Sequence, residues 1–157
     1  MRRIAVTVGV VAGFVALGGP AARAEPAGDP ARLVEQRQQE IRRMSEAMRV
    51  IGRFLKAEGA TVADVGASAQ VIRVAAAELI DGLFPEGTAI GVGRSGARPE
   101  IWQQWDIFKE QAKDLGAAAS RLAAAAATGD PEAVRAPIGA VSRACGACHE
   151  LFRRKAP

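Results

Sequence analysis

The sequence predicts an all-α fold, an antiparallel up-down-up-down four-helix bundle, and three observations carry that prediction. Four segments repeat apolar residues at alternating spacings of three and four over several turns. Two of the three connections between them are only a few residues long, which makes neighbouring helices antiparallel. The composition is rich in Ala, contains no Tyr and is only 4% aromatic, a balance that favours helix.

The first helix is expected from about Pro30 to Glu58, with Asp29 as its N-cap and Gly59 as its terminator. Its seam is Val34, Arg37, Ile41, Met44, Met48, Ile51 and Leu55, six apolar residues and one charged. The second starts at Thr61, which with Asp64 has capping-box spacing, and ends near Phe84 before Pro85. Val62, Val65, Ala69, Ile72, Ala76, Leu79 and Leu83 form its seam. Residues 85–98 are rich in Gly and present no helical face, so they read as a flexible loop. The third helix opens around Pro99 and follows Ile101, Trp105, Phe108, Ala112, Leu115, Ala119 and Leu122. Gly129-Asp130-Pro131 is a stop, cap and restart, and the fourth helix carries Val134, Ile138, Val141, Cys145, Cys148 and Phe152. Pro137 falls inside that last pattern and should bend it.

Both cysteines and the single histidine of the 157 residues stand together in Cys145-Gly146-Ala147-Cys148-His149. A C-x-x-C-H string is the attachment signature of c-type haem, in which two thiols add across porphyrin vinyl groups and the histidine ligates iron. On a helix, residues three and four apart share a face, so both sulfurs and the imidazole project together. A thioredoxin-like redox pair would need a strand-and-helix pattern that the chain lacks. A zinc site needs four ligands, and only three such residues are present. Gly91-Val92-Gly93-Arg94-Ser95-Gly96 matches a dinucleotide fingerprint, but no strand precedes it.

Residues 1–24 read as a secretory signal: Arg2 and Arg3, an apolar run from Ile4 to Gly18, and the small-residue exit Ala22-Arg23-Ala24. Cleavage would leave one domain, residues 25–157, in a periplasmic setting, which suits haem attachment outside the cytoplasm. The formal charge of +4 then falls to 18 Lys+Arg against 17 Asp+Glu, because the leader holds Arg2, Arg3 and Arg23 and no acid. That balance removes the main argument for a nucleic-acid partner, and no membrane span is expected after cleavage.

In the bundle, the end of the fourth helix lies level with the start of the first, so the haem should face residues near 37–44. Arg37 interrupts an apolar seam there, and a buried guanidinium suits haem propionates, with Gln38 beside it as a second donor. Ile41, one turn on, should lie over the iron face opposite His149 and cannot ligate. Five iron ligands and an apolar open face are expected, with Met44 and Met48 as the remaining sulfur atoms.

Nearly all of the chain after residue 24 resembles cytochrome c′, the class II c-type cytochromes. The resemblance rests on the C-terminal haem string with the following Glu150-Leu151-Phe152-Arg153, on Arg37-Gln38, and on Phe84-Pro85-Glu86-Gly87-Thr88 leading to Ala97-Arg98-Pro99-Glu100-Ile101-Trp102. It implies one haem c on Cys145 and Cys148, with His149 as the proximal metal ligand. Arg37 and Gln38 would contact the propionates, Arg153 would be the basic residue beside the proximal face, and Phe84 joins the haem contacts. A low-spin branch of the class places methionine where Ile41 stands, so the resemblance favours the branch that binds NO and CO. The implied function is a haem protein binding these ligands and able to transfer electrons to redox partner proteins, as a homodimer. The alternative is a Met-ligated electron carrier. No hydrolase constellation is present, and no enzymatic role is expected.

Overall fold

The computed structural model describes residues 28–155, so the expected signal segment, residues 1–24, lies outside the described residues. Helix α1 (Pro30–Leu55) begins where the Asp29 carboxylate accepts from the Ala31 amide at 3.0 Å and Pro30 takes the first turn. It stops three residues before the expected Glu58, because Ala57 and Gly59 adopt left-handed backbone with φ of 57° and 80°. Helix α2 (Val62–Glu78) opens on a reciprocal capping box: the Asp64 amide donates to Thr61 Oγ1 at 3.2 Å, and the Thr61 amide donates to Asp64 Oδ2 at 2.8 Å.

Three boundaries correct the sequence reading. Helix α2 ends at Glu78, well short of Phe84, because Gly82 turns at φ 125° and Pro85 draws its predecessor out of helical geometry. The third predicted helix is two: a single turn, α3 (Glu100–Gln103), and the long α4 (Trp105–Ala126), separated by Gln104 at φ −126°, ψ 44°. Helix α5 (Arg135–Phe152) starts late enough that Pro137 lies in its first turn, where a missing amide breaks no helical bond. The expected bend therefore has no cause.

The four long helices form the bundle, with α2 packed on α1 and α4, and α4 packed on α5. Helices α2 and α4 approach closely because small residues face each other; a Cβ added at Gly66 would lie 3.1 Å from that of Ala126. One core cluster fills the bundle with Ile51, Val65, Ile72, Leu115, Leu122 and Val141 among its members. A second, at the end where α5 terminates, gathers Leu79, Ala97, Ile101, Phe108, Ala112 and Phe152. The α1 seam is corrected in two places: Ile41 and Leu55 are 39% and 46% exposed, while Ala47 is buried.

Residues 83–98 are a pinned loop, not the flexible one expected. Arg37, 2% exposed, donates from Nη1 to Leu83 O (3.3 Å) and Thr88 Oγ1 (2.9 Å), and from Nη2 to Thr88 O (2.8 Å) and Ser95 Oγ (2.9 Å). Gln38 Nε2 donates to Arg94 O, fixing the same loop a second time. Ser95 Oγ in turn donates to Thr88 O and accepts from the Ala97 amide. Ala97 forms an antiparallel bridge with Arg153, flanked by bonds from Arg98 N to Phe152 O (3.0 Å) and Arg154 N to Gly96 O (2.8 Å).

Two substitutions test this clamp. Ser95→Ala leaves an Arg37 N–H and the Ala97 amide without their acceptor and should cost about 1–3 kcal/mol in urea unfolding of the holoprotein. Arg37→Lys, which keeps the charge but not the planar fork, should also destabilise, because one ammonium cannot serve four acceptors from two directions. A Ser95→Ala midpoint equal to that of the parent would show that the loop is held by other contacts.

Candidate functional site

Cys145, Cys148 and His149 lie on the last turns of α5 at helical spacings of three and four, so they share a face. Both thiols are free and half-buried. Cys145 packs against the bundle core and Cys148 against the aromatic cluster, so the pair spans the boundary between the two. Burial pushes the Cys145 thiol up, and it pushes Cys148 up to about 11, with Cys145 as a lesser cause. Both are neutral S–H groups near pH 7, which disfavours thiolate redox exchange and metal binding.

The depth of Ile41 follows from the clamp. Arg37 on α1 and Arg153 at the end of α5 are tied to the same short loop, through Ser95 and Ala97. Ile41 is four residues into α1 from Arg37, and His149 is four residues into α5 from Arg153, about 6 Å in each case at ~1.5 Å per residue. The two therefore sit at matching depths on two helices that share no extensive face with each other. His149 and Ile41 are both exposed on the protein alone. Met44, one turn deeper than Ile41, is half-buried against the bundle core, as is Met48.

Arg37 and Gln38 are placed at this end, but their observed partners are not carboxylates. The expectation that a buried arginine requires an anion is answered here by neutral loop acceptors and by the face of Phe84, whose ring centroid lies 4.4 Å from Cζ. Desolvation lowers the guanidinium pKa to about 10, so it stays charged at neutral pH. Phe84 is half-buried, packs on Phe108 at 4.8 Å, and accepts a bond from Trp102 Nε1 at 3.0 Å through its carbonyl. Arg153 caps α5 in extended backbone, and its amide donates to His149 O at 3.1 Å. The His149 imidazole is held below its ordinary pKa by desolvation first and by the Arg153 charge second, which keeps it neutral and able to ligate.

Several residues that build this site were missed as site residues. Phe108, Phe152 and Trp105 wall the Cys148 side, with Phe108 to Phe152 at 5.5 Å edge-on and Trp105 to Phe108 at 5.3 Å stacked. Their helical spacing marked them as core, and nothing in the spacing distinguishes a haem wall from ordinary filling. Thr88 and Ser95, both buried, gave no local signal at all, since their partner lies more than 50 residues away.

The donor set fits haem c. Two neutral thiols could each add S–H across one vinyl group, and a neutral imidazole on the same face could supply a nitrogen ligand to the iron. Among the described residues no three His, Cys, Asp or Glu side chains gather as a metal site of another kind. In the chain before attachment, alkylation of Cys148 should stay slow at neutral pH and accelerate only as pH approaches 11; fast labelling near pH 8 in a mass-resolved assay would contradict the burial described here.

A family model described as Cytochrome C′ matches residues 32–153. Cytochrome c′ of Rhodospirillum rubrum is 37% identical over 127 residues, covering 81% of this chain and 85% of that protein. Two solved structures superpose over nearly their whole length. One is a cytochrome c′ with an unusual ligand-controlled dimer dissociation, with TM-score 0.71, 32% identity, and coverage of 80% of this chain and 97% of that one. The other is the nitric oxide complex of a mutant of cytochrome c prime from Alcaligenes xylosoxidans, with TM-score 0.70, 31% identity, and coverage of 82% and 98%. The haem-attachment face, the bundle that carries it and these likenesses lead to one conclusion: the chain belongs to the cytochrome c′ family of haem proteins.

Proposed function

We propose that this protein is an exported, periplasmic haem protein that binds nitric oxide and carbon monoxide at an open iron face and passes single electrons, without acting as an enzyme. The observation that carries the reading is Ile41, an aliphatic side chain with no ligating atom, at the depth on α1 that His149 occupies on α5. The relative solved as a nitric oxide complex supports the ligand class.

When bound, haem supplies an iron centre that cycles between ferrous and ferric states and has a coordination position to spare. The chain supplies everything else. Cys145 and Cys148 would hold the macrocycle through two thioether bonds, and His149 would donate a nitrogen to the iron. Arg37 and Arg153 give this end positive potential, which favours the propionates. Ile41 excludes water and offers no hydrogen bond, so neutral diatomics that need none are admitted and O₂, which gains from a donor, is disfavoured.

Export rests on the sequence of residues 1–24, and no helix of the described residues is long and apolar enough to cross a membrane. Homodimer formation is carried over from the relative with ligand-controlled dimer dissociation. The absence of enzymatic turnover is proposed because the sole histidine is committed to iron.

Optical and EPR spectra of the holoprotein test this directly. A high-spin ferrous spectrum that shifts on adding CO or NO is expected; a low-spin ferrous spectrum insensitive to CO would refute it. Ile41→Met should convert the iron toward low-spin and slow CO binding, since a thioether would then stand where the branched sec-butyl group of Ile41 stands now.

A further inference from the structure

The end of α5 carries a charge pattern of which haem binding uses only Arg153. The bridge between Ala97 and Arg153, with its flanking bonds at Arg98 and Arg154, lays residues 94–98 beside residues 152–155. Arg94, Arg153, Arg154 and Lys155 are all exposed there, and none is in an ion pair among the described residues. Arg98 is neutralised by Glu100, and Glu150 is the one exposed carboxylate on the adjoining turn. Elsewhere Arg43, Arg49, Lys109, Lys113 and Arg135 each pair with a carboxylate three residues away, while Arg32, Arg42, Arg53, Lys56, Arg73, Arg121 and Arg143 are exposed without an ion pair among the described residues. What sets the four at this end apart is that the bridge gathers them from two distant segments, in a chain whose charges nearly balance after residue 24.

Two apolar side chains accompany them. Leu151 is 44% exposed on the last turn of α5, and Ile90 is 39% exposed and tied to the bridge by its amide bond to Ala97 O at 2.9 Å. Exposed apolar groups rimmed by one sign of charge are what a small, transient protein interface needs. A nucleic acid would require a longer basic track with exposed aromatic platforms, but Phe84, Trp102, Trp105, Phe108 and Phe152 are half-buried or buried.

We propose that this surface docks an acidic one-electron redox protein. Arg153 lies one helical turn from His149, so a partner seated here brings its centre to the haem-bearing end of the bundle. The step is a single electron: the ferrous haem is oxidised to ferric, the partner's oxidised metal or flavin centre is reduced by one electron, and no atom or proton moves. The proposal rests on the electron-transfer reading above.

The test is stopped-flow oxidation of the ferrous holoprotein by two acceptors, oxidised plastocyanin as an acidic protein probe and benzoquinone as an uncharged one. With plastocyanin at low ionic strength, Arg154→Glu combined with Lys155→Glu should slow the reaction about tenfold or more and flatten its salt dependence. The rate with benzoquinone should not change, and Arg154→Lys with Lys155→Arg should retain the parent's rate. An unchanged plastocyanin rate in the charge-reversed protein overturns the docking surface while leaving electron transfer intact. Failure of both acceptors to oxidise the parent overturns the electron-transfer reading and the docking with it. If charge reversal instead abolishes co-sedimentation with phosphatidylglycerol vesicles and leaves the plastocyanin rate unchanged, the patch serves a lipid surface and the proposal is wrong.

Discussion

A single buried cation sets the geometry of the haem-bearing end. The Arg37 guanidinium has no carboxylate partner among the described residues, so its desolvation must be offset by hydrogen bonds and by the π face of Phe84. Four acceptors meet it, and they come from three separated positions of one loop. Bringing Leu83, Thr88 and Ser95 to one point leaves the loop little freedom, and Gly87 at φ 80° and Gly91 at φ 102° provide the turns this requires. The chain of bonds continues from the Ala97 amide to Ser95 Oγ, across the Ala97–Arg153 bridge through Arg98 N to Phe152 O and Arg154 N to Gly96 O, and from the Arg153 amide to His149 O. His149 is thereby coupled to a residue of α1 through polar contacts that tolerate little slack.

The bundle divides into a close-packed half and an open one. Helices α2 and α4 approach closely where small residues meet: a Cβ added at Gly66 would lie 3.1 Å from that of Ala126, and one added at Gly116 would lie 3.7 Å from that of Ala76. The residues that would receive haem are on α1, on α5, in the loop between α2 and α3 and, through Trp105 and Phe108, on α4, and α1 shares no extensive face with α5. Large side chains gather instead at the boundary, where Phe84, Phe108 and Phe152 pack around Cys148 while Cys145 borders the aliphatic core. A flat macrocycle tethered at both sulfurs would meet a different wall at each one.

Most of the architecture was legible because it depends on periodicity. Val65, Ala69, Ile72 and Ala76 on α2, and Phe108, Ala112, Leu115, Ala119 and Leu122 on α4, are buried as their spacing required. The haem string was legible because spacing on one helix is its whole content. What stayed hidden was decided by backbone or distant partners. Nothing local shows that Gln104 breaks the third helix or that Pro137 falls early enough to be harmless. Arg37 was rightly singled out as a buried charge, yet its neutral partners are 46 to 58 residues away, and a sequence gives no means of seeing Thr88 and Ser95 converge on it. Ile41 sits on the seam but is exposed, since a seam predicts which face points inward and says nothing about how near the next helix comes.

The spacing between the two faces of the site therefore has an unusual origin. In an ordinary bundle the distance between neighbouring helices follows from the side chains wedged between them. At this end, the loop spans from α1 to α5, and hydrogen bonds of 2.8 to 3.3 Å hold each step of the span from Arg37 to Arg154. Hydrogen-bond lengths vary little, whereas interdigitated side chains can repack. Ile41 and His149, each one turn inside this strap, are set at a distance that substitutions in the core should barely move. Substitutions in the polar strap, none of which touches a haem ligand's side chain, should move it most.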